Sequence, residues 1–139
     1  MEAIDIIVIV AATLAALTKI IDVVTTIKGV NHCANHMGMN RAINVERNPI
    51  GRFLFKRFGV IGGCWITFVI ASVICAVVAW GVIVDGNFAY KIAAILLYGL
   101  LVYGNISTGI HNTTGRSTLL TRAILTLYNW IENIKFKKK

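Results

Sequence analysis

The sequence predicts an all-α integral membrane protein: one helical bundle of three transmembrane helices, with a C-terminal amphipathic helix lying in the membrane interface. Composition is the first observation, because 57% of the 139 residues are hydrophobic and only 14% are charged, whereas soluble domains carry about a quarter charged residues. The second is that the uncharged residues are concentrated in three long segments. The third is that Lys and Arg are concentrated beside those segments, as in multi-pass membrane proteins. The whole chain is expected to form a single membrane domain.

The first predicted span covers residues 4–27. Residues 6–17 are uncharged, but Lys19 and Asp22 follow before the segment ends. Since a crossing needs about twenty residues, we expect both charges to lie near the membrane boundary, where a lysine side chain can reach the headgroups. The N-terminus is acidic where a signal peptide is basic, so this segment is expected to remain as an anchor.

A polar stretch, residues 28–48, is predicted to form a loop before the second span. It ends in Asn48-Pro49, and a capping Asn followed by Pro predicts the start of a helix. A short basic amphipathic helix over residues 49–57 would then lead into the second span, residues 58–84.

Small side chains recur every fourth residue along the second span. Transmembrane helices associate where small residues let their backbones approach closely, so this strip is predicted to meet a partner helix. The strip consists of Gly59, Gly63, Thr67, Ala71, Cys75 and Ala79.

The third span, residues 88–110, follows a predicted tight turn at Asp85-Gly86-Asn87. In residues 117–134 apolar positions recur with the period of a helix and polar residues lie between them, which predicts a helix in the interface. A fourth transmembrane helix is the alternative. The lysine-rich residues 135–139 suit anionic lipid headgroups.

The distribution of positive charge predicts the topology. Lys and Arg lie between the first two spans and after the third, and the N-terminus has none. The positive-inside rule then places the N-terminus outside and the C-terminus inside, in the inner membrane of a bacterium. The net charge of +8 is explained by these flanking residues, so nucleic acid is not an expected partner.

Four polar residues are candidates for function: Asp22, Glu46, Asn105 and His111. A carboxylate at the centre of a span costs about 3 kcal/mol, so Asp22 either pairs with Lys19 near the interface or faces the bundle interior. Glu46 either lies at a solvated helix entry or joins a polar cluster. Asn105 and His111 either form interhelical hydrogen bonds or, with the two acids, build a catalytic or transport site. No nucleophile–base or phosphate-binding motif accompanies them.

His32 and His36 are weak candidates for a metal site, since they are four residues apart with Cys33 between them. On a helix both imidazoles would lie on one side, as zinc sites often require. No second ligand pair has such spacing, and the neighbouring Asn and Gly favour a loop, so neither a metal nor a cofactor is expected. The three cysteines, an odd number, argue against a disulfide framework.

Part of the sequence resembles the DUF5658-type family of small membrane proteins. The resemblance rests on Asp22-Val23-Val24-Thr25-Thr26, a following Gly29, and Glu46-Arg47-Asn48-Pro49-Ile50, similar to the family pattern D-x-x-T-T, G, E-x-N-P. Here the stretch between Gly29 and Glu46 is longer and carries the histidines. The resemblance implies no activity; it implies that Asp22, Thr25, Glu46, Asn48 and Pro49 form one structural unit.

These observations favour a non-enzymatic accessory protein that associates, through transmembrane helix packing, with another membrane protein or with a second copy. An intramembrane enzyme or small transporter using the four polar candidates is the first alternative. A small pore-former resembling a holin is the second.

Overall fold

The computed structural model describes residues 2–46 and 48–114, together with residues 118, 122, 123 and 126. Its helices are α1 (Ala3–Met37), α2 (Met39–Val45), α3 (Pro49–Asp85) and α4 (Phe88–Thr114). Within this part of the chain, α1, α3 and α4 are long and apolar enough to cross a membrane. The predicted all-α fold with three spanning helices is therefore confirmed. The predicted helix over residues 117–134 lies outside the described residues, except for the four single positions, and so does the lysine-rich tail.

Helices α1 and α4 lie side by side and run in the same direction. Glu2 contacts Lys91 at one end, and Asn112 contacts Thr26 towards the other end. Helix α3 runs the opposite way, since Cys75 packs beside Val8. The N-terminus therefore lies at the same end of the bundle as the α3–α4 turn, and α2 lies at the opposite end.

Two clusters of buried residues form the core. One joins all three long helices, and there the Tyr98 hydroxyl, 1% exposed, donates a hydrogen bond of 2.8 Å to the Cys75 carbonyl oxygen. The second cluster joins α1, α2 and α3 near the opposite end. The first consists of Val8, Ala12, Ala15, Cys75, Ala79, Ala94 and Tyr98, and the second of Val23, Ile43, Phe55, Val60 and Cys64.

Helix α1 extends ten residues past the predicted end of the first span, and α2 covers residues 39–45. The predicted loop over residues 28–48 is therefore wrong for most of its length. The helix ends at Gly38, whose backbone has φ 84°. Residues with a Cβ rarely adopt this conformation. At 1.5 Å per residue, 35 residues span about 52 Å, against about 30 Å for the hydrocarbon core of a bilayer. Helix α1 is therefore longer than a crossing requires, and it packs on α2.

The start of α3 confirms the predicted helix signal. Asn48 accepts a hydrogen bond of 3.0 Å from the Ile50 backbone N–H, and Pro49 occupies the first turn. Gly59 then breaks the helical geometry, with φ 71° and ψ 168°. This kink separates residues 49–58, named here the elbow segment, from the spanning part of α3. The turn before α4 is also as predicted, with Gly86 at φ 70°.

Candidate functional site: the polar contacts along α1 and α4

A row of polar side chains joins α1 to α4. The Asn105 amide donates hydrogen bonds of 3.2 Å to the Ala15 carbonyl oxygen and to the Thr18 hydroxyl. Gly109 lies on α4 between Asn105 and Asn112, and it is buried. A Cβ built on Gly109 would lie only 2.9 Å from Ile21 Cγ2. The helices thus approach closely at a position where α4 has no side chain, as small residues permit in membrane bundles.

Asp22 lies in a chain of polar contacts rather than alone. It forms an ion pair with Lys19, one helical turn earlier. Its Oδ1 also accepts a hydrogen bond of 3.3 Å from the Thr26 hydroxyl. Asn112 donates to the same hydroxyl oxygen at 3.1 Å. The carboxylate is therefore neutralised within α1 and linked to α4, which combines both interpretations offered by the sequence.

Glu46 is engaged in the turn that leads into α3. Its carboxylate accepts a hydrogen bond of 2.9 Å from the Asn48 backbone N–H, and its carbonyl oxygen accepts one of 2.9 Å from Arg52 Nε. These bonds fix the entry to the elbow segment, the local role considered from the sequence. No hydrogen bond joins Glu46 to Asp22 in the described part of the chain.

His111 lies in the last turn of α4, where a basic side chain interacts favourably with the helix dipole. Its Nδ1 is buried and has no hydrogen-bond partner among the described residues. Ser107 lies one turn earlier and is 2% exposed, and it contacts the Thr118 hydroxyl.

The four candidate residues do not converge on one cavity. Asn105 contacts Thr18, about one helical turn along α1 from Asp22, and Glu46 is held in the α2–α3 connection. Two mostly apolar depressions on the described surface border none of the four. The structure links Asp22 instead to Asn112, through the Thr26 hydroxyl.

The extension of α1 places His32 and His36 next to each other. Their ring centroids are 4.8 Å apart with an edge-on geometry, and both residues are exposed. The same-side arrangement that the spacing implied for a helix is therefore present. No group of three or more His, Cys, Asp or Glu side chains within the described ranges could hold a metal ion.

The strip of small residues on α3 serves different contacts along its length. Cys75 and Ala79 are buried against α1 and α4 of the same chain. Gly63 is buried and lies against Phe55: a Cβ built on this glycine would be only 2.7 Å from Phe55 Cδ1. Gly59 forms the kink, and Thr67 and Ala71 are partly buried. Part of the strip thus allows close packing within this chain.

A buried cluster of charges at the other end of the bundle was not identified from the sequence. Lys91, 3% exposed, pairs with Asp5 at 2.7 Å and with Glu2 at 3.0 Å. Asp5 also accepts a hydrogen bond of 2.8 Å from the Glu2 backbone N–H. One feature of the sequence indicates such a cluster. Lys91 is a lone cation beside the predicted turn between the second and third spans, where the positive-inside rule does not account for it. An isolated cation of this kind suggests an acidic partner.

An open groove of about 390 Å³ lies between α1 and α3. Its lining is almost entirely apolar and includes the small residues Ala12, Ala16, Cys75, Ala76 and Ala79. The groove opens outwards from the bundle, so in a membrane its occupant is either an acyl chain or another helix.

In comparisons with known proteins, no family model, no curated protein and no solved structure matches this chain. The resemblance of residues 22–50 to DUF5658-type proteins therefore stays a prediction from the motif. Among the residues grouped by the resemblance, Glu46 and Asn48 contact each other directly. Asp22 is linked to Asn112 of α4 through Thr26. Thr25 accepts a hydrogen bond from Asn112 itself.

Proposed function

We propose that this chain is a non-enzymatic accessory protein of a membrane, which associates with a second copy of itself through the groove between α1 and α3. The observation that carries the proposal is the groove itself, an open and mostly apolar depression. Four alanines and a cysteine line it, together with Ile9, Thr13, Ser72, Trp80 and Ile83. Helices in lipid associate by close packing at small residues. A transmembrane helix of the partner copy is the occupant that such a lining suits.

The burial of the three long helices supports this choice of surface. In the most apolar 18-residue window of α3, 11% of the residues are buried within the chain, against 22% in α1 and in α4. The most apolar stretch of α3 is thus less covered than the corresponding stretches of α1 and α4. A partner helix beside this stretch would add contacts where the chain itself supplies few.

The environment of three of the four polar candidates supports a non-enzymatic role. Asp22 is paired with Lys19, Asn105 is bonded to α1, and Glu46 is bonded to the backbone of its own turn. Each of these groups already has a partner that explains its position. We further propose the inner membrane of a bacterium as the location, with the N-terminus outside and the C-terminus inside, since this orientation places the cationic connections in the cytoplasm.

The proposal is tested by Ala76→Leu, which fills the groove from α3. Ala76 is exposed, so the larger side chain leaves the packing within one chain intact. Gly63→Leu is a poor test by comparison, because it would collide with Phe55. Ala93→Leu is the matched control, since Ala93 is exposed on α4 and does not line the groove.

The measurement is energy transfer between two differently labelled copies of the full chain, reconstituted together in liposomes. We expect transfer in the wild type and in Ala93→Leu, and its loss in Ala76→Leu. Equal transfer in all three proteins would reject the groove as the interface. No transfer in the wild type at any protein-to-lipid ratio would reject self-association and leave lipid as the occupant.

A further inference from the structure

The elbow segment has one face fixed to the rest of the protein. Gly51, Leu54 and Phe55 are buried, and Phe55 packs in the second core cluster with Val23 of α1. At its far end the segment is set off from the spanning part of α3 by the kink at Gly59. Its orientation relative to the membrane is therefore determined by the fold.

The opposite face combines large apolar side chains with cations. Ile50 is 66% exposed and Phe53 is 61% exposed. Lys56 and Arg57 are also exposed. They lie beside Ile50 and Phe53, because residues three, four and seven positions apart share one face of a helix. Such a face is unfavourable in water because of its apolar groups and in hydrocarbon because of its charges. It is typical of a helix that lies in the membrane interface.

Among the described residues, neither cation has an acidic partner. No ion pair in the described part of the chain includes Lys56 or Arg57, and the sequence has no Asp or Glu between Glu46 and Asp85. Arg52 differs, since its guanidinium donates to the Glu46 carbonyl oxygen. Lys56 and Arg57 therefore provide positive charge that a ligand can neutralise.

The position of the elbow segment indicates which ligand that is. The segment leads directly into the membrane-spanning part of α3, at the end of the bundle where α2 lies. The Arg57 guanidinium carbon is 6.0 Å from the centre of the Phe58 ring. Phe58 in turn forms one wall of a mostly apolar notch of about 260 Å³, which Gly62 and Ile61 also line. A cation beside an apolar notch at the membrane boundary matches a phospholipid, whose phosphate adjoins its acyl chains.

From this arrangement we infer that the elbow segment binds anionic phospholipids. Lys56 and Arg57 neutralise the headgroup charge, and Ile50 and Phe53 insert among the first carbons of the acyl chains. This surface is separate from the groove between α1 and α3, so either proposal can fail without the other. In the sequence it is distinct from the lysine-rich residues 135–139, for which the same kind of ligand was predicted.

The experiment is a lipid titration of the full chain in detergent micelles, with bound lipids counted by native mass spectrometry. Phosphatidylglycerol is the anionic probe and phosphatidylcholine is the neutral one. Near a charged membrane each Lys or Arg contributes roughly a fivefold gain in affinity. We therefore expect K56Q/R57Q to bind phosphatidylglycerol about thirty-fold more weakly than the wild type, with phosphatidylcholine binding unchanged.

K28Q/R41Q is the matched control, because Lys28 and Arg41 are exposed cations at the same end of the bundle. It should keep the wild-type affinity for both lipids. I50Q/F53Q should weaken both lipids by the same factor, since it removes the apolar contact alone. The inference is overturned if K56Q/R57Q retains the wild-type preference, if the control loses it equally, if I50Q/F53Q changes neither lipid, or if inorganic phosphate displaces phosphatidylglycerol.

Discussion

The close approach of α1 and α4 at Gly109 gives a prediction whose size follows from the structure. In Gly109→Ala the new Cβ would lie 2.9 Å from Ile21 Cγ2 and 3.8 Å from Thr25 Oγ1, whereas carbon atoms in contact are normally about 3.5–4.0 Å apart. The Ile21 methyl is attached to a branched Cβ and cannot swing away freely. The two helices must therefore separate by several tenths of an ångström, which also lengthens the hydrogen bonds of Asn105 and Asn112.

Overpacking of this kind costs about 1–3 kcal/mol, and replacing Gly by Ala within a helix returns up to about 1 kcal/mol. Gly99→Ala isolates the second effect, because a Cβ at Gly99, also on α4, meets nothing within 4 Å. We expect the free energy of unfolding of Gly109→Ala to be lower than that of Gly99→Ala by about 1–3 kcal/mol.

The assay is reversible unfolding of the full chain in lipid bicelles. Ile21→Ala provides a further check, because it removes the methyl group that the new Cβ would meet. The double variant Ile21→Ala/Gly109→Ala should lose less free energy of unfolding than the sum of the losses in the two single variants. Equal stabilities of Gly109→Ala and Gly99→Ala would show that α1 and α4 do not meet at this point.

Two other predictions concern polar contacts between the same helices. Asp5→Asn should lower the thermal midpoint of the chain in detergent, because it removes the buried negative partner of Lys91. The double variant Asp5→Asn/Lys91→Met should recover part of this loss. A double variant as unstable as the single one would contradict an ion pair. Asn105→Ala removes the bonds to α1 and should lower the free energy of unfolding by about 0.6–1.7 kcal/mol; Thr108→Ala, at an exposed hydroxyl of α4, should change it less, and equal effects would contradict the interhelical bond.

Much of the fold could be predicted because hydrophobic length and helix signals are local. The second span and its preceding cap, Asn48-Pro49, were recognisable from composition and from a dipeptide. The turn at Gly86 was predicted from three residues in the same way.

The end of α1 was not predictable by the same means. Asn31, Asn35 and Gly29 suggested a loop, because these residues have low helix propensity. In the structure the helix continues because α2 packs against it, with Ala42 and Ile43 buried. Tertiary packing of this kind overrides local propensity.

The polar contacts illustrate the same distinction at the level of single residues. The Lys19–Asp22 pair was considered from the sequence, since the two residues lie one turn apart on a helix. The pairs Lys91–Asp5 and Asn112–Thr26 join residues far apart in the chain. Their identification requires knowing that α1 and α4 run in parallel with a particular register, which no local pattern specifies.

The arrangement of the three spans is tested most directly by the accessibility of single cysteines to a membrane-impermeant thiol reagent, with the native cysteines replaced. Glu2→Cys and Asn87→Cys lie at one end of the bundle, and Arg41→Cys and Lys56→Cys at the other. In intact cells the first two should be labelled and the last two should not, with the pattern reversed in inverted vesicles. Labelling of Glu2→Cys and Asn87→Cys from opposite sides would contradict the account.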